Sequence, residues 1–211
     1  MSVHPFPYKL YLVISEADCL GKNFLEVAEQ AILGGVDVIQ LREKNDRTEL
    51  FIQKAKQLIA ITDKYHIPLI INDNIEVAEK VNSAGIHVGN SDIPPTLLRQ
   101  HPFTANKIIG YSIEHLSQLD NEQAAVSDYL GISPVFKSKT KTDTITEWGL
   151  DGIAKIRQLT EKPLVAIGSI HSGNAGAIIN AGADCLAVVS AICGADNPQK
   201  AAYELKNEIL K

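Results

Sequence analysis

Short apolar runs alternate with longer amphipathic stretches along the whole chain. Residues 10–14, 36–41, 69–71, 86–88, 107–112, 128–132, 163–167 and 184–189 read as buried strands. Between and after them, 24–33, 48–65, 75–82, 95–100, 116–126, 150–159, 173–180 and 198–210 carry helical spacing. Each strand–helix unit takes roughly 25 residues, ordinary for a βα repeat. The junctions LGGVDVIQL, SAGIHVG, AVSDYLGI and NAGADCLAV all set small residues between a helix end and an apolar strand. Eight such units without a composition break predict one domain, 1–211, folded as a single (β/α)8 barrel with eight parallel strands. The competing open doubly wound sheet lacks a GxGxxG after the first strand, and polar clusters follow strands two through eight rather than one switch point.

In a barrel the chemistry collects where strands end. The third and fourth strands each deliver an aspartate there, Asp73 after Asn72 and Asp92 after Gly89-Asn90-Ser91. Parallel neighbours bring those ends together, and paired carboxylates suit Mg²⁺ with open positions for substrate phosphate. Taken singly, either aspartate could instead cap the helix that follows. The second strand leads into Gln40, Arg42 and Lys44, whose alternation puts an amide and two cations on one face. Gln40 then needs a buried partner.

After the sixth strand, 137–147 alternates lysines with hydroxyls and has no apolar period, which fits either a loop over a phosphorylated ligand or a solvated connection. Gly168 and Ser169 after strand seven, and Val189 and Ser190 after strand eight, occupy the place where barrels often bind phosphate. Ser190 is equally suited to cap a helix.

Composition narrows the class of function. With 45% hydrophobic and 21% charged residues the chain is an ordinary globular protein, not a disordered one. A net charge of −5 carries no nucleic-acid signature. Cys19, Cys185 and Cys193 fit no metal spacing and read as free thiols in a reducing compartment. No leader or bilayer-length apolar run is apparent, so the expectation is a cytoplasmic protein without membrane or nucleic-acid partners.

The motifs QLREK at 40–44, IIND at 70–73, HVGNSD at 87–92, Ser112 at the end of strand five, GISPVFKSKTKTD at 131–143 and AIGSI at 166–170 resemble thiamine phosphate synthase in order and spacing. The resemblance runs along nearly the whole chain. It implies a barrel transferase that joins an aminopyrimidine diphosphate to a thiazole phosphate and releases pyrophosphate with Mg²⁺ as cofactor. It implies a dissociative course, in which the thiazole nitrogen captures a pyrimidine-stabilised cation. By resemblance, Asp73 and Asp92 are the Mg²⁺ ligands. Gln40, Arg42, Lys44 and Asn72 match pyrimidine-diphosphate contacts, with Ser112 beside them and Lys141 on the pyrophosphate as the catalytic pair. Ser138 and Thr140 match hydroxyls on the thiazole phosphate, and Gly168, Val189 and Ser190 the far end of that site. The partners are thus two small phosphorylated substrates, with a homo-oligomer left open.

Three positions depart from the family pattern. Ser133 stands for a Gly before the Pro, Lys137 for a Pro, and Ser169 for the second Gly of a pair, where its side chain is expected to crowd the thiazole phosphate. Two other readings are a related thiazole tautomerase and a non-catalytic phosphate-ligand sensor. The tautomerases typically lack the paired aspartates and carry a histidine where this chain has Glu114. A sensor has no need to stabilise a leaving pyrophosphate.

Overall fold

A computed structural model describes residues 5–137 and 146–211. Its eight strands are β1 (Leu10–Ile14), β2 (Val38–Leu41), β3 (Leu69–Asn72), β4 (Gly85–Val88), β5 (Ile108–Ile113), β6 (Tyr129–Ile132), β7 (Leu164–Ile167) and β8 (Cys185–Val188). They pair in parallel and in sequence order, and β8 returns to β1 to close the barrel. Helices α1 (Phe24–Leu33), α2 (Thr48–Lys64), α3 (Ile75–Lys80), α4 (Pro95–Gln100), α5 (Glu122–Val126), α6 (Gly149–Leu159), α7 (Ser172–Asn180), α8 (Ser190–Cys193) and α9 (Pro198–Ile209) follow the strands.

Period-two alternation divides the core. On β1, Leu10, Leu12 and Ile14 point outward into the layer between sheet and helices, whereas Tyr11 and Val13 point into the barrel. The interior holds Phe6, Tyr11, Val13, Val38, Ile70, Tyr129 and Val165, with the Phe6 and Tyr129 ring centroids 4.3 Å apart and the rings tilted. Gly110 makes room for that filling, because a Cβ there would lie 2.1 Å from Tyr129 Cζ and 2.5 Å from His87 Nδ1.

The repeated junctions carry a structural device. Asp37, Asp128 and Asp184 each immediately precede or lead into a strand, and each carboxylate reaches back to an earlier strand. Asp37 accepts the Lys9 and Leu10 amides, Asp128 the Ile109 amide and Asp184 the Leu164 amide, all at 2.8 Å. Each also pairs with a cation: Lys206, Arg99 and Arg157 respectively. The barrel floor is thus fastened at three places by charge-assisted bonds.

One expected helix is split and two short elements come in addition. The expected helix over 116–126 is a 3-10 turn, Leu116–Asp120, followed by α5, because the Asn121 side chain caps Ala124 and starts the helix afresh. The short α8 and the 3-10 turn Ala17–Cys19 carry too few residues for a visible period. Strand limits otherwise move by one or two residues, as at β2, which starts at Val38.

Candidate active site

The carboxyl ends of the strands open into two adjoining cavities with empty volumes of about 640 and 1210 Å³. Val13, Arg42, Ser133, Ile167 and Ala187 line both, so they are two lobes of one site.

The smaller lobe brings together Gln40, Arg42, Lys44, Asn72, Asp73, Asp92 and Ser112 from four strand ends. Strand alternation accounts for the first three, since Gln40 points inward and Arg42 and Lys44 continue on its face. Gln40 is buried and donates to Tyr11 Oη at 2.9 Å, which is the partner its burial requires.

Neither aspartate caps a helix. Asn74 caps α3 through its bond from the Val77 amide at 3.0 Å, and Pro94 precedes α4. Asp92 instead receives the Gly89 amide at 2.8 Å and folds its own loop back. Asp73 receives the Asn72 side-chain amide at 2.6 Å and sits at φ +60°, a left-handed conformation that aspartate and asparagine tolerate. Both carboxyls line the smaller lobe. Burial, then the charge of Asp92 and the hydrogen bond to it, raise the Asp73 pKa to about 6, against the opposing effects of Lys44 and Asn72. Two hard oxygen donors that repel one another across an open cavity suit a divalent cation. Among the described residues no third carboxylate, His or Cys joins them, and Mg²⁺ needs no more because it keeps waters and takes substrate oxygens.

This repulsion makes a prediction. Asp73→Asn keeps the left-handed turn and the Asn72 bond while removing one charge. We expect it to stabilise the metal-free protein by on the order of 1–2 kcal/mol after solvent screening, a few degrees in Tm. The sign follows from linkage. The folded-state pKa lies above the unfolded one, so stability contributed by this group falls as pH rises from about 4 to about 6 and stays low above. Thermal melts in chelator across that range check it; a variant no more stable than wild type at pH 7 would rule out carboxylate strain here.

Beneath these groups runs a buried polar chain that the sequence reading did not find. Gln40 binds Tyr11, the Tyr11 and Tyr129 hydroxyls lie 3.0 Å apart, Tyr129 meets His87 Nδ1 at 2.9 Å, and His87 Nε2 meets Ser112 Oγ at 2.8 Å. Five strands contribute one residue each, with His87 in register with Gly110 and Ser112 with Gly131. Ser112 is therefore held by His87 rather than free to rotate.

The larger lobe is lined by Gly168, Ser169, Val189 and Ser190 with Asp18, Pro134 and Lys137. Gly168 has φ +121°, and a Cβ on it would lie 2.7 Å from Pro134 Cβ, so only glycine fits. Ser190 is the first residue of α8, and the cap position itself is held by Val189. Ser169 stands at φ +52°, where a glycine would be unstrained, and its hydroxyl donates to the Lys137 carbonyl at 2.6 Å. The hydroxyl ties two strand-end loops together, and Ser169 lines the larger lobe. Ser138, Thr140 and Lys141 lie outside the described residues. The three cysteines are free and buried, and among the described residues no helix is long and apolar enough to cross a membrane.

Comparison with known proteins agrees with this architecture. Residues 10–192 match the family model described as thiamine monophosphate synthase. A thiamine-phosphate synthase of Albidiferax ferrireducens is 43% identical over 201 residues, 95% of this chain and 91% of that one. One from Chloroflexus aurantiacus is 40% identical over 203 residues, 96% of this chain and 93% of the relative. The solved thiamine phosphate pyrophosphorylase of Pyrococcus furiosus superposes with a TM-score of 0.86 at 31% identity, covering 97% of this chain and 96% of that one. A 3-hexulose-6-phosphate synthase, TM-score 0.68 at 17% identity, shares the fold alone. With its barrel, its two-lobed site and a match over nearly all of its length, this chain belongs to the thiamine monophosphate synthase family.

Proposed function

We propose that this chain is a thiamine-phosphate synthase that transfers an (aminopyrimidinyl)methyl group from its diphosphate to the ring nitrogen of a thiazole phosphate, releasing pyrophosphate. The observation that carries the reading is the two-lobed site. One lobe has paired carboxylates and two cations for a diphosphate, and the adjoining lobe is built of small residues for a second phosphorylated partner.

In this reading Asp73 and Asp92 hold Mg²⁺, which when bound offsets the charge that grows on the leaving pyrophosphate. Arg42 and Lys44 add positive charge on the same side, Arg42 from a half-buried position and Lys44 from an exposed one. Gln40 gives one N–H to Tyr11, which fixes the amide plane and leaves its carbonyl to accept from an amino substituent. Asn72, pinned to Asp73, and Ser112, pinned to His87, define the remaining orientation. Val13, Ile167 and Ala187 form an apolar wall shared by both lobes, which keeps water from a pyrimidine-stabilised cation before the thiazole nitrogen reaches it. Positioning, not strong base catalysis, is what these groups supply. Gly168, Val189 and Ser190 take the thiazole phosphate, and Lys141, Ser138 and Thr140 are assigned by resemblance to the two phosphate groups.

The test is an assay with both phosphorylated substrates and Mg²⁺, following thiamine phosphate and pyrophosphate together. We expect equimolar products and loss of both with chelator. Isomerisation of the thiazole without coupling would make the chain a tautomerase, and binding without turnover would make it a sensor.

A further inference from the structure

Outside the cavities, one group of charges is unusual. Lys54 lies in the middle of α2, and only 7% of it is exposed. Its ammonium sits 2.8 Å from Glu16, 2.8 Å from Asp46 and 3.2 Å from Glu43. Glu43, its side chain only 7% exposed, also accepts the Glu16 backbone N–H at 2.8 Å. Burial alone would push the lysine pKa down. Its ion pairs with Asp46, Glu16 and Glu43 outweigh it and raise the pKa, so the amine stays charged.

The sequence positions of these acids matter. Glu16 follows β1, beside Asp18 of the larger lobe. Glu43 stands between Arg42 and Lys44, and Asp46 two residues beyond. Alternation sends Glu43 away from the cavity, under α2, while its two neighbours face inward. One buried ammonium therefore joins the loops after β1 and β2 from behind. It also engages three carboxylates carried by these loops, two of which, Glu43 and Asp46, stand beside Arg42 and Lys44 in the chain.

We infer that Lys54 is a positioning residue of the reaction: it holds Glu16, Glu43 and Asp46 away from the site so that Arg42 and Lys44 stay available to the diphosphate. The inference rests on the reading of the smaller lobe as the diphosphate site. Without Lys54 the cluster loses the cation that its three carboxylates share, while Glu43 and Asp46 stay on the same short loop as Arg42 and Lys44. At separations of a few ångströms in a half-buried setting that attraction is strong enough to redirect a flexible side chain. The diphosphate would then compete with the protein's own acids for Arg42 and Lys44.

The experiment compares Michaelis constants for the two substrates separately. Lys54→Met should raise the KM for the pyrimidine diphosphate about tenfold or more, as misplaced binding groups do, and leave the thiazole-phosphate KM within about twofold. Adding Glu16→Gln and Asp46→Asn to Lys54→Met should bring the diphosphate KM part of the way back, because two of the three competing charges are gone and only Glu43 remains. A packing role would give no such recovery. If Lys54→Met does not fold, Lys54→Gln, which can hydrogen-bond but carries no charge, is read in the same way. An unchanged diphosphate KM, a parallel rise in both constants, or no recovery in the triple variant overturns the inference. Arg42→Ala is measured alongside. If it leaves the diphosphate KM unchanged, the assignment of the lobe fails. If it raises that KM while Lys54→Met does not, the lobe stands and the role of Lys54 falls.

Discussion

Asp92→Asn is expected to lower turnover by about 10²–10³-fold, the usual cost of removing one preorganised electrostatic partner of a leaving group. The fold should remain intact, because the substituted amide still offers an oxygen to the Gly89 N–H and because Asp92 caps no helix. Removing one of two repelling carboxylates should leave the metal-free protein at least as stable as wild type. Raising Mg²⁺ should recover part of the activity if the defect lies in metal affinity. Steady-state rates at several Mg²⁺ concentrations, with melting curves beside them, decide the matter. Wild-type turnover at limiting Mg²⁺ would end the claim that Asp92 serves the metal.

The largest loss of stability is expected at the opposite end of the barrel. Asp128 is fully buried, bonds the Ile109 amide and pairs with Arg99, whose side chain is only 13% exposed. Asp128→Ala takes the counter-charge from that cation, which keeps its carbonyl acceptors at Val126 and Lys107, and leaves a buried N–H unpaired, a loss of about 3–5 kcal/mol for breaking a buried pair. For a chain of this size that lowers Tm by on the order of 10 °C. Asp184 makes the same two contacts, but its side chain is 41% exposed, so Asp184→Ala should cost clearly less. Below their transitions both variants should turn over like wild type, since neither residue touches the cavities. Equal losses from the two substitutions would show that burial does not set the strength of these fasteners.

The barrel was legible because its signal is local and repeated. Alternation within each strand and small residues at each junction mark eight units, and closure follows from their number. The strand-end groups were legible for the same reason: Asp73 and Asp92 follow strands, and Gln40, Arg42 and Lys44 share one face. His87, Tyr11 and Tyr129 were not, although His87 lies inside a motif that drew attention. Their chain of hydroxyl, imidazole and amide is assembled across five strands, and no local spacing announces it. The one available hint was Gly110, an interior glycine on a strand, which marks a large neighbour. Lys54 was hidden differently. A lysine on an amphipathic helix reads as solvated, and only the returning loops after β1 and β2 reveal that it is covered. The caps of α3 and α4 were misjudged as alternatives because a helix start can shift by one or two residues, and here Asn74 and Pro94 take the roles that Asp73 and Asp92 were offered.

The aspartate fasteners of the barrel floor also bear on the order in which the chain can acquire its shape. Asp128 and Asp184 reach back only 19 and 20 residues, and Asp37 reaches back 27 and 28. Such short loops cost little entropy to close, so each strand pair can lock soon after its own residues have left the ribosome. The pairing of Asp37 with Lys206 spans 169 residues and must wait for the final helix. A chain built this way is expected to grow as a widening half-barrel from its N-terminal side, with the docking of α9 beneath the first strand as a late event. Variants of Lys206 should then slow the final closing phase of refolding while leaving the early phases untouched.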